Sequence, residues 1–167
     1  DQEITVVGDS GMLNQVLLNL GVNARDAMPK GGKISLSTRL VRYDRESKPD
    51  HPDAIPGDFG VIEVADNGDG MNPETRDKVF EPFFTTKDVG KGTGLGLSTA
   101  YGILRQHGGW IDLESERGVG TTFRIHIPVA PVSPSVSDSE ESLEQPRRGD
   151  ETILVIEDEA LVRGVVS

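Results

Sequence analysis

The sequence predicts an α/β (α+β) domain over residues 1–130, because helical and strand-like patterns are interspersed along this part of the chain. Two segments, 10–28 and 95–107, carry apolar residues at the three- to four-residue spacing of a buried helix face. The stretch ISLSTRLV at 34–41 instead alternates apolar and polar residues, which is typical of a strand with one face inward.

The first elements are predicted to be a strand, a helix and a second strand. Residues 3–7 (EITVV) suit a short strand, and residues 8–10 (GDS) suit a turn with a helix cap. The helix that follows ends near Met28, because PKGG at 29–32 stops it. After the strand at 34–41, the polar, proline-bearing stretch 44–57 predicts an exposed loop.

Further along, residues 61–65 predict a strand that runs directly into DNGDGM at 66–71. Pro73 then begins a short helix through about Val79. After the helix at 95–107, the sequences WIDLESE and TTFRIHIP flank a glycine-containing turn and predict a β-hairpin.

The net charge of −11 argues against a nucleic-acid partner, which needs clustered Lys and Arg. Cysteine is absent, which excludes disulfides and zinc–thiolate sites. There is no signal peptide and no apolar run of membrane length. We therefore expect a cytoplasmic chain without direct membrane contact, a location compatible with a membrane-anchored parent protein.

The composition changes at residues 131–151, which are acidic and rich in Pro and Ser and predict a linker. Residues 152–156 (TILVI) then form the continuous apolar run of a buried parallel strand. We expect a second domain to begin at 152–167, and the chain to be a piece of a longer protein.

The first helix carries two asparagines, Asn19 and Asn23, on one face beside its apolar stripe. Aligned side-chain carbonyls suit a hard cation such as Mg²⁺, with water and phosphate oxygens completing the shell. The alternative is a pair of solvated or backbone-bonded amides.

Asp66 ends a predicted strand and is followed by Gly68 and Gly70. A carboxylate fixed at a strand end can accept a hydrogen bond from an amine in a pocket, while glycines let the chain bend around a flat ring. The alternative is an Asx-type turn.

The segment 80–100 (FEPFFTTKDVGKGTGLGLSTA) places glycine at four alternate positions just before a helix. Glycine permits close approach to a ligand, and a helix start offers unpaired N–H groups to an anion. The segment therefore predicts a phosphate site, with a surface linker as the alternative. It lacks the GxxxxGK[ST] and GxGxxG spacings, and we expect it to be mobile without nucleotide.

The ordered series NLGVNARDAM, DNGDGM, FEPFFTTK, GKGTGLGL and GVGTTFRIHIP resembles the ATP-binding catalytic domain of histidine kinases, in the GHKL (Bergerat-fold) superfamily. The resemblance covers nearly all of residues 1–130. It implies a two-layer sandwich of a mixed β-sheet and α-helices, with ATP between helices under a lid. It also implies ATP and Mg²⁺ as cofactors, and transfer of the γ-phosphoryl group to a histidine on a separate dimerisation domain in two-component signal transduction.

The same resemblance assigns roles to individual residues. Asn23 would be the Mg²⁺ ligand, and Asn19 and Lys91 would complete the catalytic set. Asp66 would read the adenine amino group, and Thr122 would help to close the adenine side. The other nucleotide-binding residues would be Arg25, Gly68, Gly70, Phe83, Lys87, Gly92, Thr93, Gly94, Leu95, Gly96 and Leu97, with Phe80 and Phe84 joining Phe83 in hinging the lid.

One departure from the family pattern is Asp26, which stands where many relatives carry a basic residue. Arg25 beside it is the candidate substitute.

The C-terminal sequence TILVIEDEALVR resembles the start of a response-regulator receiver. In an intact receiver, Glu157 and Asp158 would hold Mg²⁺. The resemblance implies a hybrid histidine kinase, whose partners would be its own upstream dimerisation and histidine-acceptor helices and the receiver domain.

The kinase is the function we expect, with two alternatives. For a kinase, His51, His107 and His126 all lie outside a helical acceptor context, so the chain alone is not expected to phosphorylate itself. An ATPase of the gyrase or mismatch-repair type would carry a glutamate base where this chain has Asn19, whose amide cannot take a proton from water. A non-catalytic ATP-sensing module is the second alternative.

Overall fold

The computed structural model describes residues 4–49, 51–87 and 92–130. Within these ranges the chain forms three helices and four strands. In chain order they are α1 (Ser10–Asp26), β1 (Ile34–Tyr43), β2 (Gly57–Asp66), α2 (Pro73–Lys78), α3 (Gly96–Gln106), β3 (Trp110–Glu116) and β4 (Gly120–Pro128). The positions predicted for these seven elements are confirmed, whereas the predicted strand at 3–7 is reduced, in its described part, to a bridge between Val6 and Val129.

The four strands form one sheet in the order β1-β2-β4-β3, and each neighbouring pair is antiparallel. The α/β class is confirmed, but the mixed sheet is wrong for the described residues. The loop between β1 and β2 and the turn between β3 and β4 each reverse the chain between paired strands. Two consecutive strands can pair in parallel only if a crossover connection joins them. The helical connection after β2 leads to β3, but β3 lies at the edge of the sheet and is not paired with β2. The strand between them is β4, which is antiparallel to both.

Helices α1 and α3 pack on one face of this sheet and enclose the core. Asp9 begins α1, since its carboxylate accepts a hydrogen bond from the Met12 N–H at 2.9 Å. The buried core residues come from both helices and from the inward positions of the strands: Val16, Leu20, Val64, Ala100, Ile103, Leu104, Ile111, Phe123, Ile125 and Ile127. Because α1 and α3 are both held against the sheet, the polar residues beside their apolar stripes are held in fixed positions as well.

The opposite face of the sheet carries a second, aromatic cluster. Phe59 and Trp110 are buried there, with ring centroids 4.7 Å apart, and Trp110 stacks on His126 at 4.4 Å. Asp53, in the loop between β1 and β2, accepts hydrogen bonds from Tyr101 and Arg105 of α3. These hydrogen bonds hold the loop between β1 and β2 against α3, so the loop is not wholly exposed as predicted. None of the helices in the described ranges is long and apolar enough to cross a membrane.

Leu20 and Leu18 lie on the same helix but on opposite sides of it, which makes them a matched pair. Leu20 is 0% exposed, whereas Leu18 is 68% exposed. We expect Leu20→Ala to lower the free energy of unfolding by about 2–5 kcal/mol through lost burial and a cavity, and Leu18→Ala to change it by less than about 0.5 kcal/mol. Urea unfolding followed by circular dichroism measures both, and equal losses would contradict the packing described for α1.

Candidate functional site

A cavity of about 710 Å³ opens between α1, the segment that follows β2 and the start of α3. Its volume lies within the range of about 300–1,000 Å³ that is usual for small-molecule sites. Ten of the residues predicted from the sequence line it: Asn19, Asn23, Arg25, Asp66, Lys87, Gly92, Thr93, Gly94, Gly96 and Leu97. The fold therefore brings four separate sequence motifs into one site.

The two asparagines of α1 have different roles in this cavity. Asn19 Nδ2 donates a hydrogen bond to the Gly96 carbonyl at 3.0 Å, which ties α1 to the first residue of α3. The backbone-bonded alternative therefore holds for Asn19. The amide of Asn23 has no hydrogen-bond partner in the part of the chain that the structure describes, although it lines the cavity. Its carbonyl oxygen is available to a ligand.

Asp66 combines the two interpretations that its sequence context allows. Its Oδ1 accepts a hydrogen bond from the Gly68 N–H at 2.9 Å, which makes the Asx-type turn. Its Oδ2 has no hydrogen-bond partner among the described residues, and the side chain lines the cavity. The turn therefore fixes the carboxylate and leaves one oxygen to accept a hydrogen bond from a ligand.

Gly68 and Gly70 do not line the cavity but allow the chain around it to pack closely. A Cβ on Gly68 would lie 2.6 Å from the carbonyl oxygen of Ala27, at the end of α1. Gly70 has a φ of +61°, and a Cβ there would lie 2.0 Å from the carbonyl oxygen of Glu116. The segment after β2 can therefore approach both α1 and the β3–β4 hairpin only because these two residues are glycine.

Thr122, which is predicted to help close the adenine side, does not line the cavity, whereas Thr121 does. Successive side chains of a strand point to opposite faces, and Phe123 of β4 points into the core. Thr121 shares that face, pairs with Asp66 across the sheet and is 5% exposed, whereas Thr122 pairs with Ala65 on the other face. The alternation in TTFRIHIP contains this signal and identifies Thr121.

The sequence also predicts that Phe83 and Leu95 contact the ligand, and neither lines the cavity. The backbone of Phe83 has a φ of 68°, its N–H donates to the Gly94 carbonyl, and its side chain is left 74% exposed. Phe84 lines the cavity in its place, and Phe80 packs against the core. Leu95 is the N-cap residue of α3 and contributes no side-chain cap.

Several further residues line the cavity although no ligand contact is predicted for them: Asp26, Asp69, Met71, Thr85 and Thr86. All five lie within the motifs NLGVNARDAM, DNGDGM and FEPFFTTK, so their position in these motifs was the available signal. Lys91, the middle of the glycine-rich segment (88–91), the linker at 131–151 and the receiver-like residues with Glu157 and Asp158 lie outside the described residues.

Asp26 forms ion pairs with two basic residues of the cavity, Lys87 and Arg25. Lys87 Nζ lies 2.6 Å from its Oδ2, and the Arg25 guanidinium lies 2.8 Å from its Oδ1. The hydrogen bond from Lys87, followed by that from Arg25, holds the pKa of Asp26 below its usual range despite the opposing effect of partial burial. The carboxylate at this position is therefore ionised at neutral pH.

The start of α3 forms another wall of the cavity. Gly94, Gly96 and Leu97 line it, and no side chain caps the first N–H groups of the helix. Such N–H groups carry partial positive charge and favour an anion. The described residues contain no cluster of three or more His, Asp or Glu side chains that could hold a metal by themselves. A cation here would need ligand or water oxygens besides Asn23.

Residues 8–131 match the family described as histidine kinase-, DNA gyrase B-, and HSP90-like ATPase. The chain belongs to this family. The cavity lies within this matched segment.

Named relatives agree with this membership. The sensor kinase CckA of Brucella abortus (strain 2308) is 46% identical over 95% of this chain, and the chain spans 18% of that relative's length. The solved catalytic domain of histidine kinase ThkA is 34% identical, with a TM-score of 0.56 over 74% of this chain and 70% of that one. Full-length ShkA, solved in complex with AMPPNP, is 29% identical, with a TM-score of 0.57 over 77% of this chain and 24% of that one.

Gly70 and Gly118 both have positive φ angles, but only Gly70 is surrounded by backbone. A Cβ on Gly118 would meet no atom within 4 Å, so alanine there should cost only the backbone strain of about 1–2 kcal/mol. We expect Gly70→Ala to lower the free energy of unfolding by at least about 3 kcal/mol, because a clash with Glu116 adds to the same strain. Urea unfolding of both variants tests this, and a loss at Gly70 no larger than that at Gly118 would show that close packing is not required there.

Proposed function

We propose that this domain binds Mg·ATP in the 710 Å³ cavity and donates the γ-phosphoryl group to a histidine on the dimerisation helices of a longer two-component sensor. The observation that carries the proposal is the convergence of Asn23, Asp66 and the start of α3 on this cavity. Asp66 would bind the adenine, Asn23 the metal ion and the start of α3 the phosphates. Family membership and the sensor-kinase relatives support the same function.

The adenine end of the ligand would lie beside Asp66 and Thr121. The free Oδ2 of Asp66 can accept a hydrogen bond from the adenine amino group, and Thr121 lies opposite Asp66 on the neighbouring strand. Thr121 Oγ1 lies 2.9 Å from Ser115 Oγ, so this hydroxyl is already positioned by the sheet. A base that lacks the amino group would leave the half-buried Asp66 oxygen unpaired, and this cost would make the site prefer adenine to such a base.

The phosphates would lie at the start of α3, against the N–H groups of its first turn and close to the backbone of Gly92, Gly94 and Gly96. Mg²⁺ fits the donor set because the unpaired amide of Asn23 offers a hard oxygen, and this ion usually keeps waters and substrate phosphates as its other ligands. When bound, the ion would neutralise negative charge on the phosphates. Asn23 would orient it, and Asn19 would hold α1 against α3.

Phosphoryl transfer is favoured over hydrolysis by the carboxylates that the cavity contains. No glutamate lines the described part of the cavity, and position 19 carries an amide that is hydrogen-bonded to Gly96. Asp26 is paired with two cations, which makes it a poor proton acceptor. With an amide at position 19 and Asp26 held by two cations, catalysis would rest on positioning and charge neutralisation, which suffice for transfer to a nucleophile delivered by a partner.

The proposal extends to the rest of the protein. The acceptor histidine would lie on the protein's own dimerisation helices, and residues 152–167 would begin a receiver domain in which Glu157 and Asp158 hold Mg²⁺. A cytoplasmic setting follows from the use of ATP.

Single substitutions in the cavity should separate the two ends of the ligand. We expect Asp66→Ala to abolish the preference for ATP over GTP, with a loss of ATP affinity of about tenfold or more. Asn23→Ala should instead remove most of the gain in affinity that Mg²⁺ provides. Calorimetric titration with non-hydrolysable ATP and GTP analogues, with and without Mg²⁺, measures both effects. Thr122→Ala, on the opposite face of the sheet, is the matched control, and the same pattern of loss in both cavity variants would contradict the assigned roles.

Mixing the domain with radiolabelled ATP, in the presence and absence of the parent protein's dimerisation helices, tests the reaction itself. We expect label on a histidine of the helices and none on this chain alone. Release of inorganic phosphate at a rate that does not depend on the helices would instead identify an ATPase. Tight nucleotide binding without either product would identify a sensing module.

A further inference from the structure

The described lining of the cavity contains two cationic side chains, and a single carboxylate binds both of them. Asp26 Oδ2 accepts from Lys87 Nζ at 2.6 Å, while Oδ1 accepts from Arg25 Nε at 3.0 Å and from its terminal nitrogen at 2.8 Å. Each oxygen of Asp26 therefore has its own cation. Neither Arg25 nor Lys87 presents uncompensated positive charge to a ligand in this state.

The remaining charges of the described lining are negative. Asp66 and Asp69 add two carboxylates, whereas Arg25 and Lys87 are the only cations there. The described lining thus carries three negative and two positive side chains, a net charge of −1. The side-chain charges of the described lining therefore do not attract a polyphosphate, unless it brings a cation with it or removes a cation from Asp26.

The position of Asp26 makes that removal feasible. Asp26 follows Asn23 by three residues on α1, so the two side chains lie on neighbouring parts of the same helix face. Lys87 follows Thr85 and Thr86, which line the same cavity. The side chains of Lys87 and Asp26 are 34% and 28% exposed, so water still reaches the pair. Partly exposed pairs of this kind are weak enough to exchange partners.

We propose that Asp26 is a positioning residue that holds Lys87 and Arg25 at the cavity and competes with the nucleotide's phosphates for them. The inference rests on the proposed function, because it takes ATP as the ligand. Its consequence is a built-in requirement for a divalent cation. As long as Asp26 retains the two side-chain cations, most of the charge neutralisation of the phosphates has to come from the bound metal. Removing the negative charge at position 26 frees Lys87 for the phosphates and weakens that requirement.

The test compares variants of the full chain by calorimetric titration with a non-hydrolysable ATP analogue, once with EDTA and once with excess Mg²⁺. We expect Asp26→Asn to tighten metal-free binding by about fivefold to tenfold, the size of one or two partly exposed charge pairs. With Mg²⁺ the gain should be less than about twofold, because the metal then neutralises the phosphates. Asp26→Glu, which keeps the charge, should bind as the unaltered chain does. Thermal unfolding of each variant establishes that it is folded.

Two further variants separate competition for Lys87 from a simple change in net charge. Asp69→Asn removes a carboxylate from the same cavity that has no ion-pair partner among the described residues, and it should tighten metal-free binding by less than about twofold. When Lys87 is replaced by alanine, Asp26→Asn should increase the metal-free affinity for the ATP analogue by a smaller factor, because only Arg25 is then released.

Failure of the inference about Asp26 and failure of the proposed ATP binding give different results. Unchanged or weaker metal-free binding by folded Asp26→Asn overturns the inference alone, as does an equal gain in Asp69→Asn or an undiminished gain without Lys87. If the unaltered chain binds no Mg²⁺-loaded analogue, the proposed function fails and the inference fails with it.

Discussion

The packing of α1 against α3 is the interaction on which the rest of the site depends. Leu20 of α1 and Leu104 of α3 are both 0% exposed, and they bury the apolar stripes of the two helices against the sheet. The hydrogen bond from Asn19 to the Gly96 carbonyl then sets where α3 begins relative to α1. Since Asn23 lies one turn further along α1 and the uncapped N–H groups lie at the start of α3, this single contact sets the spacing between them.

The antiparallel pairing of β2 with β4 provides the other half of the site. It places Asp66, the last residue of β2, opposite Thr121. The sharp turn after Asp66 depends on two glycines, because any side chain at either position would collide with Ala27 or Glu116. Packing therefore holds a carboxylate at the edge of the core with one oxygen unpaired among the described residues. Such a group is costly to bury without a ligand, and this cost favours a partner that can donate a hydrogen bond.

The charges of the cavity are a property separate from its packing. Its described side chains sum to a negative charge although the proposed ligand is itself an anion. Three aspartates stand against two cations there, and one of the three, Asp26, binds both cations. A nucleotide domain arranged in this way would depend strongly on its metal.

The sequence by itself determined the positions of three helices and four strands, the α/β class and ten of the cavity residues, because period and motif are local properties of the chain. The strand predicted at 3–7 is the exception. Asn23, Asp66 and the glycines before α3 could each be recognised within a few residues of sequence. The tertiary structure decided the antiparallel order of the sheet, the choice of Phe84 over Phe83 and the pairing of Asp26 with Lys87. That last pair joins residues 61 positions apart. Only the packing of α1 beside the segment after α2 brings them together, and no periodicity within either segment encodes their distance.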